Sequence, residues 1–190
     1  MHEAPAQPPS WMRPLRVLIV VLIALLAALL IWQIVGGGEG DDSGDAGGGT
    51  AETPRIVGAP ELAELAASSG RPLYWAGPRP GAELEYSEAD GGRAYVRYLT
   101  GGAEAGDPSA AYLTVATYPL PDPVAALRAN AKRTATELRE ARGGALVWVD
   151  PSRPSSVYLA EAGSDYQVEV YDPDPARALD VALSGDIRPG

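Results

Sequence analysis

Three basic side chains are spaced so that they fall on one side of a predicted helix. The helix is predicted over residues 123–142, where Asp122 supplies an N-cap ahead of a proline and two glycines follow the end. At 100° per residue, Arg128, Lys132 and Arg139 project within about 40° of one another. Such a strip suits an anionic partner, either a phosphate-rich polymer or lipid headgroups. The alternative is a solvated helix face, because bases near a helix C-terminus are favourable without any ligand.

A second set of side chains places aromatic rings among charges on one face of a predicted sheet. Alternation along the strands turns four of them away from the core: Tyr95, Arg97, Trp148 and Tyr171. Rings interspersed with charge are the composition of a binding surface. Two other interpretations stay open. The rings favour strands and simply cover the sheet, or the last helix covers them.

Residue types that perform catalysis are scarce. The chain has no cysteine, and its one histidine is His2, which excludes a thiol nucleophile, a Cys/His zinc site and a Ser-His-Asp triad in the folded part. No nucleophile elbow, phosphate loop or dinucleotide fingerprint occurs. Only carboxylate pairs are left, and we expect Glu83 and Glu85 to face water because glutamate is rarely buried. We therefore predict a protein that is not an enzyme, with no catalytic residue, no cofactor and no metal.

Charge and hydropathy predict a membrane topology. The 190-residue chain carries 25 acidic and 15 basic side chains, a net charge of -10, which disfavours a nucleic-acid partner. Residues 17–35 are an apolar run, interrupted only by Gln33, that is long enough to cross a bilayer as a helix. A cleaved signal peptide is the alternative, but the run is too long and no small-x-small site follows. Because Arg13 and Arg16 precede the run and acids follow it, the N-terminus is predicted to be cytoplasmic.

This topology divides the chain into four parts. Residues 1–16 are predicted to be a cytoplasmic tail, residues 17–35 a single transmembrane helix, residues 36–55 a flexible Gly/Asp-rich linker and residues 56–190 one extracytoplasmic domain. The predicted location is the cell membrane, crossed once, with the C-terminal domain outside.

The outer domain alternates helix and strand patterns. Helices are predicted over residues 60–69, 123–142 and 175–183, and strands over residues 73–75, 82–87, 93–99, 111–118, 145–149, 156–161 and 166–171. Residues 115–127 resemble residues 168–179: each has a strand ending at Tyr, an Asp-Pro turn and a helix with Ala-Leu. This indicates a duplicated βββα unit, or a chance likeness of two Asp-Pro helix starts. The predicted fold is α+β, a mostly antiparallel sheet of about six or seven strands with helices packed on one face.

Apolar positions on the inward side of these elements predict the core. The helix positions of most weight are Leu127 and Leu179, one in each of the last two helices. The full predicted set is Leu84, Val96, Leu113, Val115, Leu127, Leu138, Val147, Val168, Val170, Leu179 and Leu183.

Four stretches carry a family resemblance. The segments YWAG, YVRYL, YLTVATYP and VYLAEAGSDYQVEVYDP resemble uncharacterised single-pass membrane proteins of high-GC bacteria, over most of the outer domain. The resemblance implies the architecture and carries no activity. The expected function is a membrane-anchored extracytoplasmic binding or accessory module of the cell envelope, held in the lipid bilayer by residues 17–35 and partnered by a membrane or envelope protein. An envelope enzyme using carboxylates and a carrier of an apolar ligand are the alternatives. The oligomeric state stays open.

Overall fold

The computed structural model describes residues 53–190, and every structural statement below concerns that part of the chain. Its helices are α1 (Ala59–Ser69), α2 (Pro123–Thr134) and α3 (Pro175–Leu183). Its strands are β1 (Arg55–Val57), β2 (Tyr74–Trp75), β3 (Glu83–Ala89), β4 (Arg93–Leu99), β5 (Thr114–Pro119), β6 (Arg139–Glu140), β7 (Leu146–Val149), β8 (Ser156–Ala160), β9 (Tyr166–Tyr171) and β10 (Arg188–Pro189).

Eight of these strands form one antiparallel sheet in the order β1-β3-β4-β5-β9-β8-β7-β6. The prediction of an α+β fold with a mostly antiparallel sheet is therefore confirmed. The sheet is wider than predicted because the short strands β1 and β6 extend its two edges. A second antiparallel pair joins β2 to β10 and so ties the end of the chain to the segment after α1.

Helices pack on both faces of the large sheet, so the prediction of helices on one face is wrong. On the side that we call face A, α1 and α3 bury Leu62, Ala66, Ala178 and Ala182 against the sheet. On the opposite side, face B, α2 buries Leu127 against Trp148, Tyr158 and Ala160. Side chains along β7 and β8 point alternately to the two faces. Val147 and Val157 point to face A, whereas Trp148 and Tyr158 point to face B. Sheet and helices therefore form three layers.

The six central strands are arranged about a local two-fold axis. One unit is β3-β4-β5 and the other is β7-β8-β9, and their last strands pair antiparallel at the centre of the sheet. Ala116 pairs with Glu169 in this register, and these residues are also equivalent in the alignment that matches Tyr118 to Tyr171. The pair therefore lies at the axis. The helices break the symmetry, because α2 follows the first unit onto face B and α3 follows the second onto face A.

Helix α2 is shorter than predicted and ends at Thr134 rather than continuing to residue 142. Ala135 adopts a left-handed conformation, with φ 53° and ψ 39°, and its N–H bonds back to the carbonyls of Ala131 and Lys132. The N–H of Thr136 then bonds to the Ala131 carbonyl at 3.0 Å. These bonds satisfy the last turn of the helix and release the chain towards β6. The prediction failed because alanine is the strongest helix former and gives no stop signal.

The hairpin between β3 and β4 turns through two glycines. Ala89 pairs with Arg93 across the three-residue loop of Asp90, Gly91 and Gly92. Both glycines have positive φ, 78° and 72°, a conformation that costs other residues energy. The register then places Leu84 and Val96 on the same face as α1.

Most of the predicted core is confirmed. Fully buried positions include Val96, Val115, Leu127, Val147 and Val170, each 0 % exposed. The predicted residues that are only half-buried are Leu113, Leu138, Leu179 and Leu183. The prediction omitted a buried set of aromatic and aliphatic residues, which includes Leu62, Leu73, Tyr74, Tyr86, Tyr98, Trp148, Val157, Tyr158 and Leu159.

The predicted cytoplasmic tail, transmembrane helix and most of the linker, residues 1–52, lie outside the described residues. Within residues 53–190, no helix has the length and apolar character needed to span a membrane. The transmembrane segment at residues 17–35 therefore stays a prediction.

Candidate functional site

The predicted aromatic face is face B, and α2 covers the half of it that contains Trp148. That residue is 4 % exposed and stacks on Tyr158 with ring centroids 5.5 Å apart. Its indole Nε1 donates a 2.8 Å hydrogen bond to Oγ1 of Thr136, just beyond the end of α2. A buried indole needs such a partner. The sequence therefore placed Trp148 on the right face of the sheet, and the structure shows that face covered at this point.

The other half of face B is covered by the β4–β5 loop, residues 100–113, which is held by an ion pair. Arg97 Nη1 donates to Glu85 Oε1 at 2.7 Å, and Glu85 is only 1 % exposed. Arg97 Nη2 donates to the carbonyls of Asp107 and Ser109, both at 2.9 Å, while the Gly106 N–H donates to Glu85 Oε2. The expectation that Glu85 faces water is wrong, because Arg97 and the loop backbone satisfy its charge. Glu83 is exposed as expected.

The centre of face B holds tyrosines around the Glu169 carboxylate. Tyr118 donates a 2.7 Å hydrogen bond to Glu169 Oε2, and the Tyr95 ring meets the Tyr118 ring edge-on at 6.1 Å. Tyr171 donates to the Ala110 carbonyl of the β4–β5 loop at 2.9 Å. Burial, with Glu169 adding to it, raises the pKa of Tyr118 well above its ordinary value. Tyr118 is therefore a hydrogen-bond donor over the whole physiological pH range.

The basic strip predicted for one helix is divided between two elements. Arg128 and Lys132 are exposed on α2, four residues apart and opposite the buried Leu127. Arg139 lies on the edge strand β6, where it pairs with Val147, and is also exposed. The helix end at Thr134 separates Arg139 from the other two. Because Arg139 pairs with Val147, it lies on the face A side of the sheet edge, whereas Arg128 and Lys132 lie on α2 over face B. The three side chains therefore do not share a helix face.

Charge pairing across the domain is uneven. Six arginines lie within 4.0 Å of an acidic side chain, and the pairs are Arg55–Glu61, Arg71–Glu88, Arg79–Asp186, Arg97–Glu85, Arg153–Asp150 and Arg177–Asp172. Within residues 53–190, the bases without such a partner are Arg93, Arg128, Lys132, Arg133, Arg139, Arg142 and Arg188. Five of these seven bases, all except Arg93 and Arg188, lie in the segment that runs from α2 through the turn after β6. This acidic domain thus leaves one segment of its chain basic.

An open cleft of about 410 Å³ lies where the turn after β6 meets the end of α3. The two segments are joined by a 3.2 Å hydrogen bond from the Arg142 N–H to the Leu183 carbonyl. The lining residues are Arg142, Gly143, Glu161, Ser184, Gly185, Ile187 and Arg188.

Both arginines of the cleft lie close to Gly185. Arg188 Nε donates to the Gly185 carbonyl at 3.2 Å. A Cβ on Gly185 would lie 3.0 Å from the Arg142 Cβ, and the φ of Gly185 is +80°, so glycine is required there. Glu161 also lines the cleft, and Tyr74 donates a 3.1 Å hydrogen bond to its Oε2. The sequence did not predict this cleft, because residues far apart in the chain build it and no local pattern marks their meeting.

The described residues hold no group of three or more His, Cys, Asp or Glu side chains arranged to bind a metal ion. No protein-family model, curated protein or solved structure matches the chain.

Proposed function

We propose that the chain is a membrane-anchored binding or accessory module of the cell envelope, with residues 56–190 outside the cell and residues 17–35 as its anchor. We further propose that the module contacts a phosphate-bearing surface through a basic edge, which we define as Arg128, Lys132, Arg133 and Arg139. The phosphate belongs either to lipid headgroups or to an envelope polymer. We also propose that this chain is related to the single-pass membrane proteins of high-GC bacteria that its sequence resembles.

The uneven pairing of bases is the observation that carries this proposal. Of the nine other bases in residues 53–190, six lie beside carboxylates, as Arg97 does with Glu85. The four side chains of the basic edge are exposed and have no acid within 4.0 Å among residues 53–190. Exposed, unpaired bases retain their full charge for a partner. Each base placed against an anionic surface contributes about 1 kcal/mol.

The net charge of -10 opposes this contact at long range. The repulsion is screened beyond a Debye length of about 8 Å, so the basic edge acts only on a surface held close to it. The anchor and the linker provide that closeness. The linker predicted for residues 36–55 would have a mean end-to-end distance of about 25 Å, which would keep the domain near the outer leaflet.

The interior of the domain favours this function over the carrier of an apolar ligand. Two pockets that lie beside the sheet each hold about 10 Å³, about the space of one water molecule. A drug-sized ligand needs several hundred cubic ångströms, and the cleft among residues 53–190 that reaches this size, of about 410 Å³, is lined by charged side chains and not by an apolar surface. The carboxylate Glu85, which an envelope enzyme would require free, is committed to Arg97 and the β4–β5 loop. Both alternatives are therefore weaker proposals.

The surface contact is tested with the full chain reconstituted in nanodiscs of neutral lipid. One arm measures capture of vesicles that contain anionic lipid, and the second measures binding of soluble polyphosphate. The test variant is Arg128→Gln/Lys132→Gln/Arg139→Gln. The control is Arg55→Gln/Arg93→Gln/Arg177→Gln, which changes the net charge equally at other sites.

We expect salt-sensitive binding in at least one arm, lost in the test variant and kept in the control. Binding in the vesicle arm alone identifies lipid, and binding in the polyphosphate arm alone identifies a polymer. Equal binding by both variants, or none by the parent chain, refutes the basic edge.

The topology is tested separately. Protease added to intact spheroplasts should remove residues 56–190 and leave the anchor in the membrane fraction. Protection of the domain would overturn the proposed orientation.

A further inference from the structure

The cleft between the turn after β6 and the end of α3 lies outside the basic edge. Charges of both signs line it, from Arg142, Arg188 and Glu161, yet neither arginine lies within 4.0 Å of a carboxylate among the described residues. Six other arginines of the domain do lie in ion pairs with carboxylates. Charges kept apart across a cleft leave room for a ligand that carries both.

We propose that this cleft binds a small zwitterion, an amino acid or a short peptide, with its carboxylate at Arg142 and Arg188 and its ammonium group at Glu161. The proposal goes beyond the proposed function and does not depend on the basic edge. It names a ligand class from the charge and size of the cleft.

The arginine wall suits a carboxylate. The guanidinium group of Arg188 uses Nε for the Gly185 carbonyl, and its two terminal nitrogens have no hydrogen-bond partner among the described residues. Two parallel N–H groups match the two oxygens of a carboxylate. The Arg142 backbone is fixed beside the same glycine by its bond to Leu183. The Arg188 side chain and the Arg142 backbone therefore start from anchored positions, which lowers the entropy cost of binding.

The carboxylate of Glu161 suits an ammonium group. Oε2 of Glu161 accepts the Tyr74 hydroxyl, which orients the carboxylate and leaves Oε1 to accept from a ligand. Ile187 adds an apolar patch that matches a small side chain. A volume of about 410 Å³ lies at the lower end of ligand pockets and accommodates a dipeptide.

A purely structural role for the arginines is the competing explanation. Both lie near the C-terminus of α3, where the helix dipole favours positive charge. That role predicts that substitution lowers stability and that no ligand binds. It makes no use of Glu161.

The test uses the full chain in non-ionic micelles and isothermal titration calorimetry. The probes are alanyl-alanine, its N-acetylated form, its C-amidated form and inorganic phosphate. We expect alanyl-alanine to bind, and each blocked form to bind at least tenfold more weakly. Arg188→Gln should weaken binding of alanyl-alanine at least tenfold, whereas Arg93→Gln, an arginine outside both the cleft and the basic edge, should leave it unchanged.

Glu161→Gln separates ligand binding from a structural role. It should weaken binding of alanyl-alanine and leave binding of the N-acetylated form unchanged, because only the free ammonium group meets Glu161. No binding of alanyl-alanine at millimolar concentration overturns the proposal. So does equal binding of phosphate and alanyl-alanine, or an affinity that neither Arg188→Gln nor Glu161→Gln alters.

Discussion

The two strand-to-helix connections of this domain share a sequence pattern and lead to opposite faces of the sheet. Each runs from a tyrosine through Asp-Pro into a helix, and each aspartate caps its helix by accepting a backbone N–H. Asp122 does so from a left-handed conformation, φ 48° and ψ 58°, while Asp174 is extended, φ -93° and ψ 109°. The first connection is also one residue longer. One added residue and one altered backbone conformation therefore accompany the move of a helix to the other face.

As a consequence, the helix that follows the first unit does not cover the strands of that unit on face B. Helix α2 leaves the first unit and covers β7 and β8 of the second. Over the first unit, face B is covered instead by the β4–β5 loop, which Glu85 and Arg97 hold in place. One half of face B is thus closed by apolar packing and the other by a buried charge network. The two halves should respond differently to substitution.

The largest effect is expected at the charge network. Glu85→Ala leaves the Arg97 guanidinium without its carboxylate in a mostly buried position and frees the loop backbone. Breaking a buried pair by removing one partner costs about 3–5 kcal/mol. Urea unfolding measures the loss, and Glu83→Ala, an exposed neighbour on the same strand face, should change the unfolding free energy by less than about 0.5 kcal/mol. A small effect of Glu85→Ala would mean that the loop does not depend on the pair.

The apolar packing of α2 on face B is tested beside that of α3 on face A. Leu127 on α2 is 0 % exposed, so Leu127→Ala should cost about 2–5 kcal/mol in unfolding free energy. Leu179 on α3 is half-buried and has less to lose, so Leu179→Ala should cost about 1–2 kcal/mol. Thermal unfolding of both variants under one buffer gives the comparison. A larger cost at Leu179 would contradict the assignment of α2 to face B.

Local signals in the sequence were sufficient for most elements. The predicted helix α3 and strand β9 match the observed bounds, because Asp-Pro caps and alternating Val residues are local patterns. The face that each helix covers is not local. It is accompanied by an added residue and by the left-handed conformation of Asp122, a residue for which both the left-handed and the extended conformation are accessible. The sequence therefore predicted the helix and not its layer.

The candidate site shows the same division. Alternation correctly assigned Tyr95, Arg97, Trp148 and Tyr171 to one face. That the face is covered depends on the β4–β5 loop and α2, whose positions come from long-range contacts such as Arg97 with the Asp107 carbonyl. The burial of Glu85 was missed for the same reason. Its partner arginine is visible in the sequence, but the loop amide that completes its bonding is not.

The two caps give an intermediate effect that sharpens the comparison. Replacing either aspartate with alanine removes a cap worth about 1 kcal/mol. At Asp122 the alanine must also hold a left-handed conformation, which adds about 1 kcal/mol or more. Asp122→Ala should therefore lower the unfolding free energy by about 2 kcal/mol and Asp174→Ala by about 1 kcal/mol, measured by urea unfolding. Equal losses would show that Asp122 does not hold the left-handed conformation in solution.

The smallest effect is expected at the end of α2, where a helix former sits in a helix-stopping conformation. Ala135 is exposed with φ 53°, so its methyl group contributes strain without packing. Ala135→Gly removes a left-handed penalty of about 1–2 kcal/mol and adds entropy to the unfolded chain. The net result should be a stabilisation of about 0.5–1 kcal/mol, seen as a higher urea midpoint. Ala129→Gly, at an exposed position within the same helix, should instead destabilise by about 1 kcal/mol. The two substitutions are chemically identical, so opposite signs locate the helix end between them, whereas a loss at both positions would mean that α2 continues through residue 135.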